Sequence, residues 1–227
     1  MRILDICELT KQFQKNGSDV FHKDNELDQL TINAINKTKS DITERSEQVE
    51  QVRKWIVSYK VHRIKGAKAI DLASTVIDFA HSEKRVAAPL SVDQIKVQFI
   101  ALEKKLKSKL PSRDLNANER KVESLTSKTL WLCYPHDVPI LDSNAERALR
   151  ILARLQAKSF PNVGTRYETF VDAWFYFYSQ IESVITVDPV DSYPYKVRVF
   201  DRLLWWLGQP SFPTADEYHK FGIGSPS

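Results

Sequence analysis

Apolar residues return every three or four positions along most of this chain, the period of a helix with one buried face. Val92, Ile95, Phe99, Leu102 and Leu106 make one such stripe, and Ser91 with Gln94 forms a capping box at its start. Pro111 lies just past its end, where a helix cannot continue. Phe170, Trp174, Phe177, Tyr178 and Ile181 form a second stripe between Gly164 and Pro189. Val197, Phe200, Leu204 and Leu207 form a third, closed by Gly208 and Pro210. Ile70, Ala73, Ile77 and Ala80 mark another between Gly66 and Pro89, and residues 44–59 read as a polar-faced helix capped by Ser40 or Asp41. Only six glycines occur in 227 residues, and few segments alternate with period two, so the tight turns of a sheet-rich fold are not provided for. The expectation is an all-α, multi-helix globular fold.

The length suffices for one sizeable core or two small lobes. The Ala87-Ala88-Pro89 connection is the natural boundary, giving an N-terminal helical layer over 1–88 and a second helical region over 89–210. Residues 16–24 and 211–227 are rich in turn formers, and are expected to be a loop and a poorly packed tail. Asp5 and Glu8 interrupt the first apolar stretch, so it does not read as a secretory signal. No apolar run approaches the ~20 residues that span a bilayer. These features predict no membrane contact, with the chain in the cytoplasm or associated with the nucleoid. Cys7 and Cys133 lie far apart among apolar neighbours and read as buried free thiols of a reducing compartment. The five histidines never pair with cysteine at ligand spacing, so no metal, iron–sulfur cluster or other cofactor is expected.

Charge is unevenly placed. Residues 101–166 hold 13 Lys and Arg against 7 Asp and Glu, a surplus of +6 in a chain whose total is +4. A polyanion would dock on such a region. Within it, Arg147, Arg150, Arg154 and Lys158 step by three, four and four, and so share one helix face. Such a ridge could track a phosphate backbone, although an ordinary solvated helix face has the same pattern.

Two further residues carry chemical potential. Lysines are usually solvated, but Lys128 is flanked by Leu125, Leu130, Trp131 and Leu132. An apolar neighbourhood disfavours the ammonium form and so favours a nucleophilic amine. Asp142 precedes a helix with Ala145, Leu149 and Leu152 on its inner face, which makes it an N-cap. A capping carboxylate is fixed and ionised, as an electrostatic stabiliser of an oxocarbenium-like transition state must be. Trp131, Tyr134, Trp174, Tyr176, Trp205 and Trp206 are the aromatic candidates for a base-stacking slot, with His136 beside them in a turn. Trp174 and at least one of Trp205 and Trp206 are expected in the core. Arg198, Asp201 and Arg202 read as ion-paired surface groups.

Ser124-Leu125-Thr126-Ser127-Lys128-Thr129, followed by Pro139-Ile140-Leu141-Asp142, resembles the core of the helix-hairpin-helix DNA glycosylases, most closely the branch that excises 8-oxoguanine. Lys128-Thr129 matches that superfamily's Lys-Thr pair, and Asp142 its second catalytic residue. The resemblance implies a helix-hairpin-helix fold in which the backbone at Ser124, Thr126 and Ser127 meets phosphate, helped by Arg147, Arg150 and Arg154. It implies a glycosylase/AP lyase in which Lys128 attacks the anomeric carbon of a damaged or modified nucleotide, an oxidised purine as first guess. Trp131, Tyr134 and His136 would line the base pocket, on duplex or single-stranded DNA. Relatives of this domain also accompany antiviral defence systems, so a modified base on invading DNA fits as well. The positions of the superfamily's hairpin glycines are Ser124 and Thr126 here, and the interval from Lys128 to Asp142 is about one helical turn short. Those departures support an alternative, a non-catalytic helical module that binds nucleic acid or a partner. A helical protein-interaction subunit with a merely solvated basic face is the third reading.

Overall fold

The computed structural model describes residues 6–16, 25–37, 42–59, 64, 66–82, 86–111, 115–160, 164–185 and 195–210. They form nine α-helices and no strand, as the three-to-four residue periodicity predicts. In chain order these are α1 (Ile6–Asn16), α2 (Asn25–Asn36), α3 (Ile42–Ser58), α4 (Ala69–Ala80), α5 (Val92–Lys107), α6 (Leu115–Cys133), α7 (Ser143–Leu155), α8 (Arg166–Ile181) and α9 (Lys196–Leu207). No helix among the described residues is long and apolar enough to cross a membrane. The expected caps Ser40 and Asp41 and the tail over 211–227 lie outside the described residues, as does most of the loop expected over 16–24.

The chain divides into two compact units, Lys23–Val138 and Met1–His22 with Pro139–Ser227. The division does not fall at the Ala87-Ala88-Pro89 connection. That connection is tied into the first unit from both sides. The Tyr134 hydroxyl donates to the Val86 carbonyl at 3.0 Å, and the Leu90 amide donates to Asp137 Oδ2 at 3.1 Å.

In the Lys23–Val138 unit, α3 packs on α2 and α4, and α6 packs on α5 and α2. The Ser91–Gln94 box starts α5, and Ile95, Phe99, Leu102 and Leu106 are buried. Ile70 departs from its stripe. It is 42% exposed, at the edge of a buried face centred on Leu72, Ala73, Val76 and Phe79. One buried carboxylate organises the α2–α3 contact. Asp28 Oδ1 accepts from Trp55 Nε1 at 2.7 Å and from the Tyr59 hydroxyl at 2.8 Å, while the two rings stack.

The second unit brings α7, α8 and α9 together, with α1 against α8 and α9. Phe170, Trp174, Phe177, Tyr178 and Ile181 of α8 are buried, as are Val197, Phe200, Leu204 and Leu207 of α9. A close approach of α7 and α9 requires glycine at 208, because a Cβ there would collide with the Asn144 carbonyl. Two expectations are corrected here. Trp205 is exposed and Trp206 only half-buried, so neither is core. Arg198, Asp201 and Arg202 are buried instead, because α9 meets other helices on several sides. Neither cysteine is in a disulfide: Cys133 is a buried thiol, whereas Cys7 is half-buried, its thiol donating to the Gln180 carbonyl.

Candidate nucleic-acid interface

The candidate surface is built on α7. Asp142 has extended backbone, and its Oδ1 accepts from the Asn144 amide at 2.8 Å, which satisfies an amide left over at the helix start. Ala145, Ala148, Leu149 and Leu152 are buried on the inner face, and Arg147, Arg150, Arg154 and Lys158 are exposed, as their spacing predicts. At the other end the helix closes in a Schellman motif. The Lys158 amide donates to the Ala153 carbonyl and the Ala157 amide to the Arg154 carbonyl, with Ala157 at φ 50°.

Between α7 and α8 lies an open groove of about 660 Å³. Leu149, Ala153, Phe170 and Ala173 supply its apolar lining, and Phe160 adds an aromatic wall. The Phe160 ring is held by an edge contact to Tyr176, 5.5 Å between centroids, and by Phe177 at 6.0 Å. Lys158 Nζ sits 4.7 Å from the Tyr176 ring centre, a cation–π contact that fixes the corner beyond the helix end.

Charge on the groove is positive. Arg150, Arg154 and Arg166 line it with a single acid, Glu146. Arg166 grips that acid as a fork, with Nη2 at 2.6 Å and Nε at 3.2 Å from Oε2. Arg150 stands 4.0 Å from the same oxygen with its side chain 66% exposed, a pairing too open to neutralise it. The wall opposite is set by the capping box that starts α8. The Glu168 amide donates to Thr165 Oγ1 and the Thr165 amide to Glu168 Oε2. Gly164, at φ 95°, leaves room for that carboxylate.

The hairpin expected before Lys128 is not there. Residues 115–133 form one uninterrupted helix, α6, so Ser124, Thr126 and Ser127 lie in its interior, where backbone amides are spent on the helix ladder. Thr126 and Ser127 are fully buried, and their hydroxyls donate back to the carbonyls of Val122 and Ser124. They present no phosphate cradle. Trp131 and Tyr134 are buried to 0% and 1% exposure, which makes them core residues rather than walls of a base pocket. His136 is exposed in the turn after α6. Lys128 is half-buried and its Nζ donates to Ser124 Oγ at 3.1 Å. Lys128 belongs to the Lys23–Val138 unit and Asp142 to the other.

The turn that leads into Asp142 is held by Asp201, expected at the surface but buried, and by Tyr167. Asp201 Oδ2 accepts from the Ile140 amide at 3.1 Å and Oδ1 from Trp174 Nε1 at 2.8 Å. The fully buried Tyr167 hydroxyl donates to the Pro139 carbonyl at 3.2 Å, and burial raises its pKa well above the usual value, which keeps that proton in place. Burial pushes the Asp201 carboxyl up to about 8. The Arg198 charge, the Ile140 amide and the Trp174 indole pull it down in part. Among the described residues no three of His, Cys, Asp and Glu converge to hold a metal ion. The groove residues Glu146, Phe160 and Arg166 were legible only in fragments: an i,i+4 pair with Arg150, and an arginine just after the Thr165 cap.

No protein-family model matches this chain, and no curated protein and no solved structure matches it.

Proposed function

We propose that this protein is a helical nucleic-acid-binding module whose contact surface is the basic face of α7 and the groove beside it. The observation that carries this reading is the exposed register of Arg147, Arg150 and Arg154 along one helix, with Glu146, the acid beside Arg150, gripped by Arg166. Guanidinium groups spaced along a helix displace the counterions of a phosphate backbone, which makes affinity strongly salt-dependent. Arg150→Ala with Arg154→Ala should weaken binding similarly across sequences. It should also flatten the log–log salt slope by up to ~0.9 per lost contact on duplex, or ~0.7 on single strands. A salt slope unchanged in the double variant, measured by fluorescence anisotropy, defeats the reading.

Base excision through Lys128 is a second reading, favoured by one observation. Between residues 125 and 135, Lys128 alone is not buried, so an amine set in apolar surroundings still reaches the surface. Attack of that amine on the anomeric carbon would expel the base and leave a Schiff base. Borohydride trapping against oligonucleotides bearing oxidised or otherwise modified bases reports that adduct directly. Lys128→Gln should abolish trapping and excision while leaving DNA affinity intact. Failure of the wild-type protein to trap on any such substrate ends the lyase reading and leaves the binding module.

A further inference from the structure

We infer that the α7–α8 groove receives one unstacked base of a single-stranded nucleic acid, with Arg150 and Arg154 on its flanking phosphates. This rests on the polyanion reading above and adds the form of the polymer. The groove has the size of a small-molecule site, so it admits one nucleotide and no duplex. Its lining is divided in the way a nucleotide is divided. Phe160 and Ala153 offer a half-buried, partly aromatic surface to a ring face, backed by the buried Phe170 and Leu149, while Arg150 and Arg154 stand one helical turn apart at the rim. A lone phosphate would have no use for the aromatic wall, and bases stacked inside a duplex have no free face to give it.

Two details favour a base over any other flat group. Phe160 is held by an edge contact to Tyr176 and a tilted contact to Phe177, so its ring is oriented before a ligand arrives and loses little freedom on stacking. The Glu146–Arg166 pair lies on the same groove and offers a carboxylate acceptor beside guanidinium donors, the complement of a base's polar edge. Both groups already satisfy each other, so they can exchange a bond with a base without stranding a buried charge.

The test measures anisotropy of the full chain with labelled oligothymidylate and with a duplex of the same length, at one salt concentration. The wild type should hold the single strand more tightly. Phe160→Ala should weaken the single strand roughly 5- to 150-fold, the loss of one stacked base, and leave the duplex unaffected. Phe160→Leu, which keeps apolar volume but not the π face, should do the same, and guards against a misfolded alanine variant. If either folded variant weakens both polymers equally or neither, the base site is overturned while the polyanion surface stands. If the wild type binds neither polymer, both readings fall. If polyglutamate of matched charge displaces the single strand as well as unlabelled oligothymidylate does, the surface reads acidic charge alone and the base site is overturned.

Discussion

Asp201 shows how much one buried side chain settles. Its two oxygens take the Ile140 amide and the Trp174 indole, so it joins α9, α8 and the turn that delivers Asp142 to the start of α7. Asp201→Ala leaves two buried donors unmet, at about 1–3 kcal/mol each. Asp201→Asn retains one acceptor and turns an amide nitrogen toward the other donor, so it should cost roughly half as much. The pH dependence has a definite sign. The folded-state pKa of about 8 lies above the ordinary 3.8, so the folded protein holds a proton that the unfolded chain gives up. The Asp201 contribution to stability is therefore full below about pH 4 and is lost as pH rises through about 8. Asn cannot titrate, so the gap in melting temperature between wild type and Asp201→Asn should narrow on going from acid to mildly alkaline buffer. A gap that is constant with pH would show that Asp201 is ionised throughout.

Among the elements, α7 carries the candidate surface and ends in an unusual way. The Schellman closure needs a left-handed residue at position 157, a role glycine fills without strain, and this chain places alanine there. A Cβ in that conformation costs about 1–2 kcal/mol, and glycine's extra freedom in the unfolded chain returns ~0.4–1 of it. Ala157→Gly should therefore stabilise the protein by roughly 0.5–1 kcal/mol, readable as a higher urea midpoint with unchanged slope. It should leave the proposed nucleic-acid binding unchanged, because Arg150, Arg154 and Phe160 keep their places. A loss of stability would mean that the closure at 157 is not maintained in solution. The helix also shows why a motif is weaker than its context. Lys128-Thr129 and Asp142 sit in the expected order, but α6 runs unbroken through the stretch where a hairpin would have to turn.

At the level of the whole molecule, the two units differ in how the chain builds them. Lys23–Val138 is contiguous, whereas the other unit needs the first helix of the chain to complete the face of α8 and α9. Ile6 and Leu9 of α1 are buried there, at 4% and 2% exposure. Leu9→Ala removes buried methyl groups and leaves a cavity, at about 2–5 kcal/mol. Native-state hydrogen exchange should then speed up in α8 and α9 while α3 and α4 keep their protection. Equal acceleration in all four helices would show that the two units unfold as one. Each unit also carries its own buried aspartate–tryptophan bond, Asp28–Trp55 and Asp201–Trp174, so neither core is purely apolar.

Helix content, the caps at Ser91 and Asp142, the inner faces of α5, α8 and α9 and the exposed arginine ridge follow from the sequence alone. All depend on residues within one or two turns of each other, where a period of 3.6 and a side-chain oxygen near a free amide decide the outcome. Tertiary structure alone decided the rest. Whether Arg198, Asp201 and Arg202 meet water or protein depends on how many helices surround α9, which no local pattern records. The groove exists because Phe160 and Arg166, distant in sequence from Glu146 and Arg150, are brought beside them by the closure at Ala157 and the cap at Thr165. Helical propensity and packing carried α6 through Ser124 and Thr126, where neither residue supplies the backbone freedom a hairpin needs.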